Sequence, residues 1–365
     1  MPKIKKIFKI IIFFIIILST TGCNTNYMSL NDMAIVSSII IDKKDNKYIT
    51  HVEIYKEEKS ENKSKKESYF IKGEGKHIKE ALDNASLLVG KTLYMVHINA
   101  IVVSKETINN NMEILFNYLS RRIQLNSNYY ILVTDNVEEL LKSKDEDNSI
   151  LGEKIKNLTE YSNNNGAIYK YDFLEKLNNY INPRIDVVLN KIKIENKNLK
   201  INEAYYFDDD KIKGTLNQEE VILTNLFLNN KNIYLTFAID EKYYILKIDE
   251  SNTKIDLKNG ININLSIIAN LDSLHSDYDL TKSSTINKLN KHAELSLKKR
   301  YQELFNKLIN DKSDILMLND YIYRVKGYQK YNLFEDKINI NIDVTISKKG
   351  LMENTIGGYT NGQKK

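Results

Sequence analysis

Tryptophan is absent, and cysteine, proline and glycine are scarce: one Cys, two Pro and 13 Gly in 365 residues. A single cysteine excludes an intrachain disulfide framework and a cysteine-based zinc site. So few Gly and Pro exclude collagen-like, linker-like and glycine-rich phosphate-loop architectures. Five scattered histidines leave little for a His-rich metal centre. With 42% hydrophobic and 28% charged residues, the chain has the composition of a folded globular protein. Lys, Asn and Ile are abundant, which reads as a compositional habit of the source genome. The formal net charge of +5 owes most to the N-terminus: 53 Lys+Arg less the four lysines of residues 1–22 leaves 49, against 48 Asp+Glu. A near-neutral protein without a basic block has no electrostatic footprint for nucleic acid.

The N-terminus reads as an export signal. Lys3, Lys5, Lys6 and Lys9 precede an uninterrupted apolar run, Ile10–Leu18, and then the small residues Ser19-Thr20-Thr21-Gly22 lead into Cys23. A spanning helix needs ~20 apolar residues, so this shorter run is a signal-peptide core. Small residues running straight into a cysteine form the arrangement of a bacterial lipobox, with Thr20 at −3 where Leu is commoner. The chemistry requires a thiol at +1: diacylglycerol is attached through a thioether, and the peptide is then cut on its N-terminal side. Cys23 is therefore expected as an S-diacylglycerol, N-acylated (palmitate-type) cysteine that tethers the mature protein to membrane lipid. Two or three acyl chains anchor stably where one would be marginal.

After a polar tether, Asn24-Thr25-Asn26, the pattern alternates strand and helix. Ala34–Ile41 and Tyr48–Tyr55 predict a hairpin around the polar turn Asp42–Lys47, and Glu57–Glu67 reads as a mobile loop. Ile78, Ala81, Leu82, Ala85, Leu88 and Val89 form one helical stripe. Strands are expected over 96–103 and 129–133, helices over 108–119 and after Asp135, with Asp135 and Glu138 as its cap. The charged stretch Lys142–Asn148 predicts a break; two short helices and strands at 185–194 and 199–207 follow, with Pro183 ending the helical stretch. Further on come short strands, among them 243–248 and 253–257, a long helix over 284–309 with a basic outer face, a second helix near 314–325, and the strictly alternating Ile338–Ile346. The expectation is an α/β (mixed α+β), multi-domain chain of mixed β-sheets packed with helices after a signal peptide. Its parts are 1–22 (signal), 23–195 (N-terminal domain, sub-boundary near 142–149), 199–350 (C-terminal domain) and a disordered tail, 351–365.

Chemistry-bearing constellations are missing. There is no Gly-x-Ser-x-Gly elbow and no His-Glu-x-x-His. Gly73-Glu74-Gly75-Lys76 before a helix lacks both the Walker spacing and the third glycine of a dinucleotide fingerprint, so it reads as a tight strand-to-helix turn. Asp42/Asp45 lack calcium-loop spacing, and the adjacent Asp208-Asp209-Asp210 would point in different directions on one turn, so both read as solvated turns. His97 has no acid or second His near it in sequence, and Glu294, the best single carboxylate, reads as a helix-face residue. No catalytic, cofactor-binding or metal-binding residue is nominated, and no cofactor is expected. An enzyme finds no support.

In order along the chain, several blocks resemble the Ger(x)C family, the lipoprotein C subunit of bacterial spore germinant receptors. They are Leu30-Asn31-Asp32-Met33-Ala34-Ile35-Val36 with Ile40-Ile41-Asp42; Gly73-Glu74-Gly75 with Glu80-Ala81; Lys91-Thr92-Leu93-Tyr94 with His97; Leu119-Ser120-Arg121-Arg122 with Ile131-Leu132-Val133-Thr134; and Ala204-Tyr205-Tyr206-Phe207 through Asp210-Lys211-Ile212-Lys213-Gly214-Thr215-Leu216. The family's Trp-Asp-Arg-like segment after the lipidated Cys is replaced by Asn24-Thr25-Asn26. The resemblance implies a multi-domain fold of mixed sheets and a non-enzymatic subunit on the outer face of the cytoplasmic membrane (the spore inner membrane). Its partners would be membrane-embedded germinant-receptor subunits. Only Cys23 carries over with a role. The alternative reading is a lipid-anchored solute-binding protein of a transporter, which would have two similar lobes around a cleft. An exported cell-wall hydrolase is disfavoured by the missing acid pair.

Overall fold

The computed structural model describes residues 29–56, 67–121, 128–147, 149–169, 173–239, 242–258, 260–274, 278–327 and 338–348. Cys23 with the signal segment, most of the charged loop and the tail 351–365 lie outside the described residues.

A 3-10 turn, Leu30–Asp32, leads into β1 (Met33–Lys44), β2 (Lys47–Lys56) and β3 (Glu67–Gly75). Then follow α1 (Ile78–Val89), β4 (Thr92–Tyr94), β5 (Ala100–Ser104), α2 (Lys105–Ile108), α3 (Met112–Ser120), β6 (Tyr130–Thr134), α4 (Val137–Asp147), α5 (Leu151–Asn164) and α6 (Phe173–Ile181). The hairpin strands β7 (Val187–Glu195), β8 (Asn198–Asp208) and β9 (Lys211–Leu216) complete one sheet, ordered β3-β2-β1-β5-β6-β7-β8-β9, with β4 paired separately to the start of β1. The centre, β1-β5-β6-β7, is parallel and the flanks are antiparallel. Helices cover both faces, as a parallel core demands. On one side Leu82 of α1, Leu115 and Phe116 of α3 and Phe173 of α6 pack over Val52, Ile101 and Ile131. On the other, Leu140 of α4 with Leu151 and Ile155 of α5 cover Ile40, Val102, Leu132 and Ile192. The period-2 alternation of Ile39-Ile40-Ile41 sends neighbours to opposite cores.

The chain continues as α7 (Gln218–Phe227), β10 (Ile233–Ile239), β11 (Lys242–Asp256), β12 (Ile261–Leu274), α8 (Ser283–Asn310), α9 (Leu318–Lys326) and β13 (Ile338–Lys348). The second sheet, β10-β11-β12-β13, is antiparallel except for its last pair, which the helical crossover through α8 makes parallel. Two matching sequences meet there in register: Ile261-Asn262-Ile263-Asn264 beside Ile338-Asn339-Ile340-Asn341. Their isoleucines face the core, and their asparagines form a ladder, with Asn339 donating to Asn262 at 3.1 Å and Asn341 to Asn264 at 3.2 Å. Leu289, Ala293, Leu297, Tyr301 and Leu304 turn one stripe of α8 onto this sheet. The same core takes in Val188, Ala204 and Tyr206, so the second unit seats against the far strands of the first sheet.

Several expectations are corrected. Residues 67–75, not predicted as a strand, form β3, because its inward positions Gly73 and Gly75 carry no side chain to betray the alternation. A Cβ on Gly73 would lie 2.0 Å from the Ala81 carbonyl oxygen; the glycines let α1 lie directly on the strand. Of the expected strand 96–103 only the second half is strand, β5; residues 96–99 belong to the turn after β4, which holds an exposed His97, its ring 5.9 Å from that of Tyr94. The expected helix 108–119 breaks at Asn110 (φ +66°) into α2 and α3. The predicted break at Lys142–Asn148 is helix as far as Asp147, since Lys and Glu are good helix formers and no Gly or Pro interrupts the stretch. The strands expected at 243–248 and 253–257 are one bulged strand, β11. Leu88, placed on the buried stripe of α1, is exposed.

Candidate functional site

The residue singled out by sequence, Cys23, lies outside the described residues, and the fold begins six residues later. That entry is well defined. Met33 pairs with Thr92 and Ala34 with Leu93, which brings the start of β1 beside the C-terminal end of α1. Asp32, Asp83, Ser86, Leu87, Gly90 and Lys91 line a shallow depression of about 540 Å³ there. Gly90, at φ +68°, ends the helix in the left-handed conformation and its N–H bonds back to Ser86 and Leu87. The last turn therefore presents Leu87 and Leu88 to the outside, 77% and 71% exposed.

Two carboxylates that look solvated or unremarkable in sequence are buried and saturated. Glu53 of β2 is wholly buried and accepts hydrogen bonds from Ser38 (2.8 Å), Ser68 (2.6 Å) and the backbone N–H groups of Leu151 (2.7 Å) and Gly152 (2.8 Å). It caps α5 from another element, meeting two of the donors that a helix start leaves orphaned and the positive end of its dipole. Gly152 is required, because a Cβ would sit 2.3 Å from the Ser37 hydroxyl. Asp42, expected in a solvated turn, is a strand residue that accepts from Ser104 at 2.6 Å. The true turn is Asp45-Asn46, both at positive φ, as a two-residue hairpin requires. Asp135 does not cap α4; Asn136 does, accepting from the Glu139 N–H at 3.1 Å, while Asp135 pairs with Lys191 at 2.8 Å.

A third concentration of polar groups lies between the two sheets. Asp186, just before β7, accepts from the Ser313 hydroxyl (2.6 Å) and the Asp314 N–H (2.9 Å). Asp314 in turn caps α9, accepting from the N–H groups of Leu318 (2.9 Å) and Asn319 (2.6 Å). Burial pushes the Asp314 carboxyl up to about 7 against those bonds, and burial raises Asp186 as well. Asp320 behaves oppositely: burial works to raise it, but Asn182 (2.8 Å) and Arg324 (2.7 Å) hold it below the usual carboxylate range. Arg184 stacks on Tyr323, 3.9 Å from the ring centroid. Asn225 of α7 donates to the Gly166 (2.9 Å) and Ile168 (2.6 Å) carbonyls.

Of the remaining candidates, Asp210 bonds the Glu113 N–H at 3.1 Å and the Tyr180 hydroxyl at 3.0 Å, holding the β8–β9 turn to α3 and α6 rather than standing free in solvent. Glu294 accepts from the Val344 N–H at 3.4 Å, and Asn290 from the Ile346 N–H at 3.2 Å, so α8 covers the open edge of β13. His97 lines a polar cleft of about 410 Å³ with Tyr55, Asn99 and Glu153. Among the described residues no three His, Cys, Asp or Glu side chains cluster as metal ligands, and no helix is long and apolar enough to cross a membrane. The acids that the fold gathers are spent on capping helices and joining elements, an arrangement suited to holding a rigid body together.

Comparison with known proteins divides the chain at a different point from the two sheets. Residues 26–194 match the family model described as the spore germination protein N-terminal domain, and residues 202–350 match that described as spore germination B3/GerAC like, C-terminal. The seam between the two matches falls at the β7–β8 hairpin, inside the first sheet. Among solved structures, the crystal structure of the GerBC protein is similar in fold: TM-score 0.51 and 16% identity over 85% of this chain and 96% of that one. No curated protein matches the chain.

Proposed function

The chain belongs to the GerAC-like family of spore germination proteins, and on that premise we propose that it is a non-enzymatic, lipid-anchored subunit of a spore nutrient-germinant receptor. In this reading it sits on the outer face of the cytoplasmic membrane, the inner membrane of the spore, and acts by contact with membrane-embedded partner subunits. The observation that carries it is the pair of family matches, in order, covering nearly everything after the lipobox cysteine. The anchoring half rests on Cys23, the chain's one cysteine, which stands three residues ahead of the first match. The saturated buried acids agree with a role in which the body is a contact surface. The solute-binding alternative loses ground because the two units differ: a nine-stranded sheet with helices on both faces and a four-stranded, largely antiparallel one.

The test is genetic. In a strain carrying no redundant receptor, deletion of this gene abolishes nutrient-triggered germination, and the wild-type gene restores it. Normal nutrient germination of the deletion strain would refute the reading. Cys23→Ala is expected to move the protein from the membrane pellet to the soluble fraction and to abolish fatty-acid labelling.

A further inference from the structure

We propose that the C-terminal tip of α1, Leu87 and Leu88, is a membrane-inserting wedge that orients the protein on the bilayer. The inference rests on the lipid-anchored reading above and adds a face to it. Two adjacent leucines at 77% and 71% exposure are costly to leave in water. A helix with the stripe Ile78, Ala81, Leu82 and Ala85 already buried had no packing need for either of them. Their position supplies the reason. Leu87 shares its depression with Asp32, and the chain from Cys23 to Ser29 is six residues long, a reach of at most ~20 Å when extended. A diacylglyceryl group on Cys23 therefore holds this end of the molecule, and no distant one, against the lipid.

The surroundings suit an interface. Tyr69 and Lys91 border the neighbouring cleft at the start of β1, an aromatic ring and a long cation that can lie at headgroup level while leucines enter the acyl boundary. Such interfacial elements sink about 5–10 Å. Charge is not the attraction. Asp83 pairs with Lys79, and Asp32 and Lys91 bring opposite charges to the same depression, so the wedge works by apolar burial and should be indifferent to anionic lipid.

The absence of tryptophan makes the test clean. The full-length lipidated protein carrying Leu88→Trp is reconstituted in phosphatidylcholine vesicles, with and without phosphatidylglycerol, and its emission is read against acyl-brominated lipid. Val325→Trp, at a 54% exposed position on α9, is the control. Leu88→Trp should emit to the blue of the control and be quenched about twofold or more, equally with and without anionic lipid, with the control unquenched. If the protein floats with the vesicles but Leu88→Trp emits like the control, the wedge is overturned and the anchor stands. Quenching confined to anionic vesicles overturns the apolar-burial mechanism. If the wild-type lipoprotein fails to float at all, the anchoring reading falls, and the wedge falls with it.

Discussion

The carboxylate of Asp186 accepts the backbone N–H of Asp314 at 2.9 Å, so one half-buried acid of the first unit holds the start of a buried acid's loop in the second. Both carboxyls are raised by burial, Asp314 to about 7. A group whose folded value exceeds its ordinary value of 3.8 binds a proton in the folded chain that the unfolded chain has released. Between about pH 4 and pH 7 stability must therefore fall as pH rises, and this contribution is flat above about 7. At ~1.4 kcal/mol per unit the effect is of order a few kcal/mol. Urea unfolding at about pH 5 and about pH 8 should show it as a higher midpoint at the acid end, and Asp314→Asn should flatten the difference. An unchanged pH slope in the variant would exclude Asp314 as its source.

Glu53→Ala leaves two serine hydroxyls and two helix-start N–H groups without their acceptor in the buried core. The expected loss is roughly 3 kcal/mol or more. Glu53→Gln, which keeps the shape but turns an amide donor towards N–H groups, should lose less than alanine but remain below wild type. Denaturant midpoints compare all three.

Gly75→Ala should destabilise by about 1–3 kcal/mol, because the added methyl meets the Ala81 nitrogen at 2.5 Å and α1 must lift from β3. Added ATP or GTP should leave the melting temperature of the wild type unchanged, as expected of glycines that serve close packing; a nucleotide-induced rise would return a ligand role to this segment.

Removing both Asn290 and Glu294 side chains uncovers the N–H groups of Ile346 and Val344 on the edge of the second sheet. The double alanine variant should lose about 1–2 kcal/mol. It should also show concentration-dependent association by size-exclusion chromatography, the characteristic fate of an open edge strand.

Strong periodicity was legible in the sequence, and mixed signals were not. The long helix expected over 284–309 is found at Ser283–Asn310, and the alternating Ile338–Ile346 forms β13 to within two residues. β3 hides because Glu67-Ser68-Tyr69-Phe70-Ile71-Lys72-Gly73-Glu74-Gly75 buries glycines where an alternating strand would show large apolar side chains. The buried roles of Glu53 and Asp42 depend on serines and helix starts from 15 to 99 residues away, contacts that no local window contains. Leu88 fits the helical stripe by spacing, yet in the last turn it is Val89 that packs against the core while Leu88 is left exposed. The reading of Cys23 as a lipidation site rests on the local lipobox pattern alone, and it stands as the proposal made above.

The first strand of the described chain is an interior strand of its sheet: β1 lies between β2 and β5 and takes β4 at its start. A tug on the N-terminus would not peel an edge. It would shear the hydrogen bonds of three neighbours at once, so mechanical load entering from the N-terminal end passes straight into the interior of the nine-stranded plate.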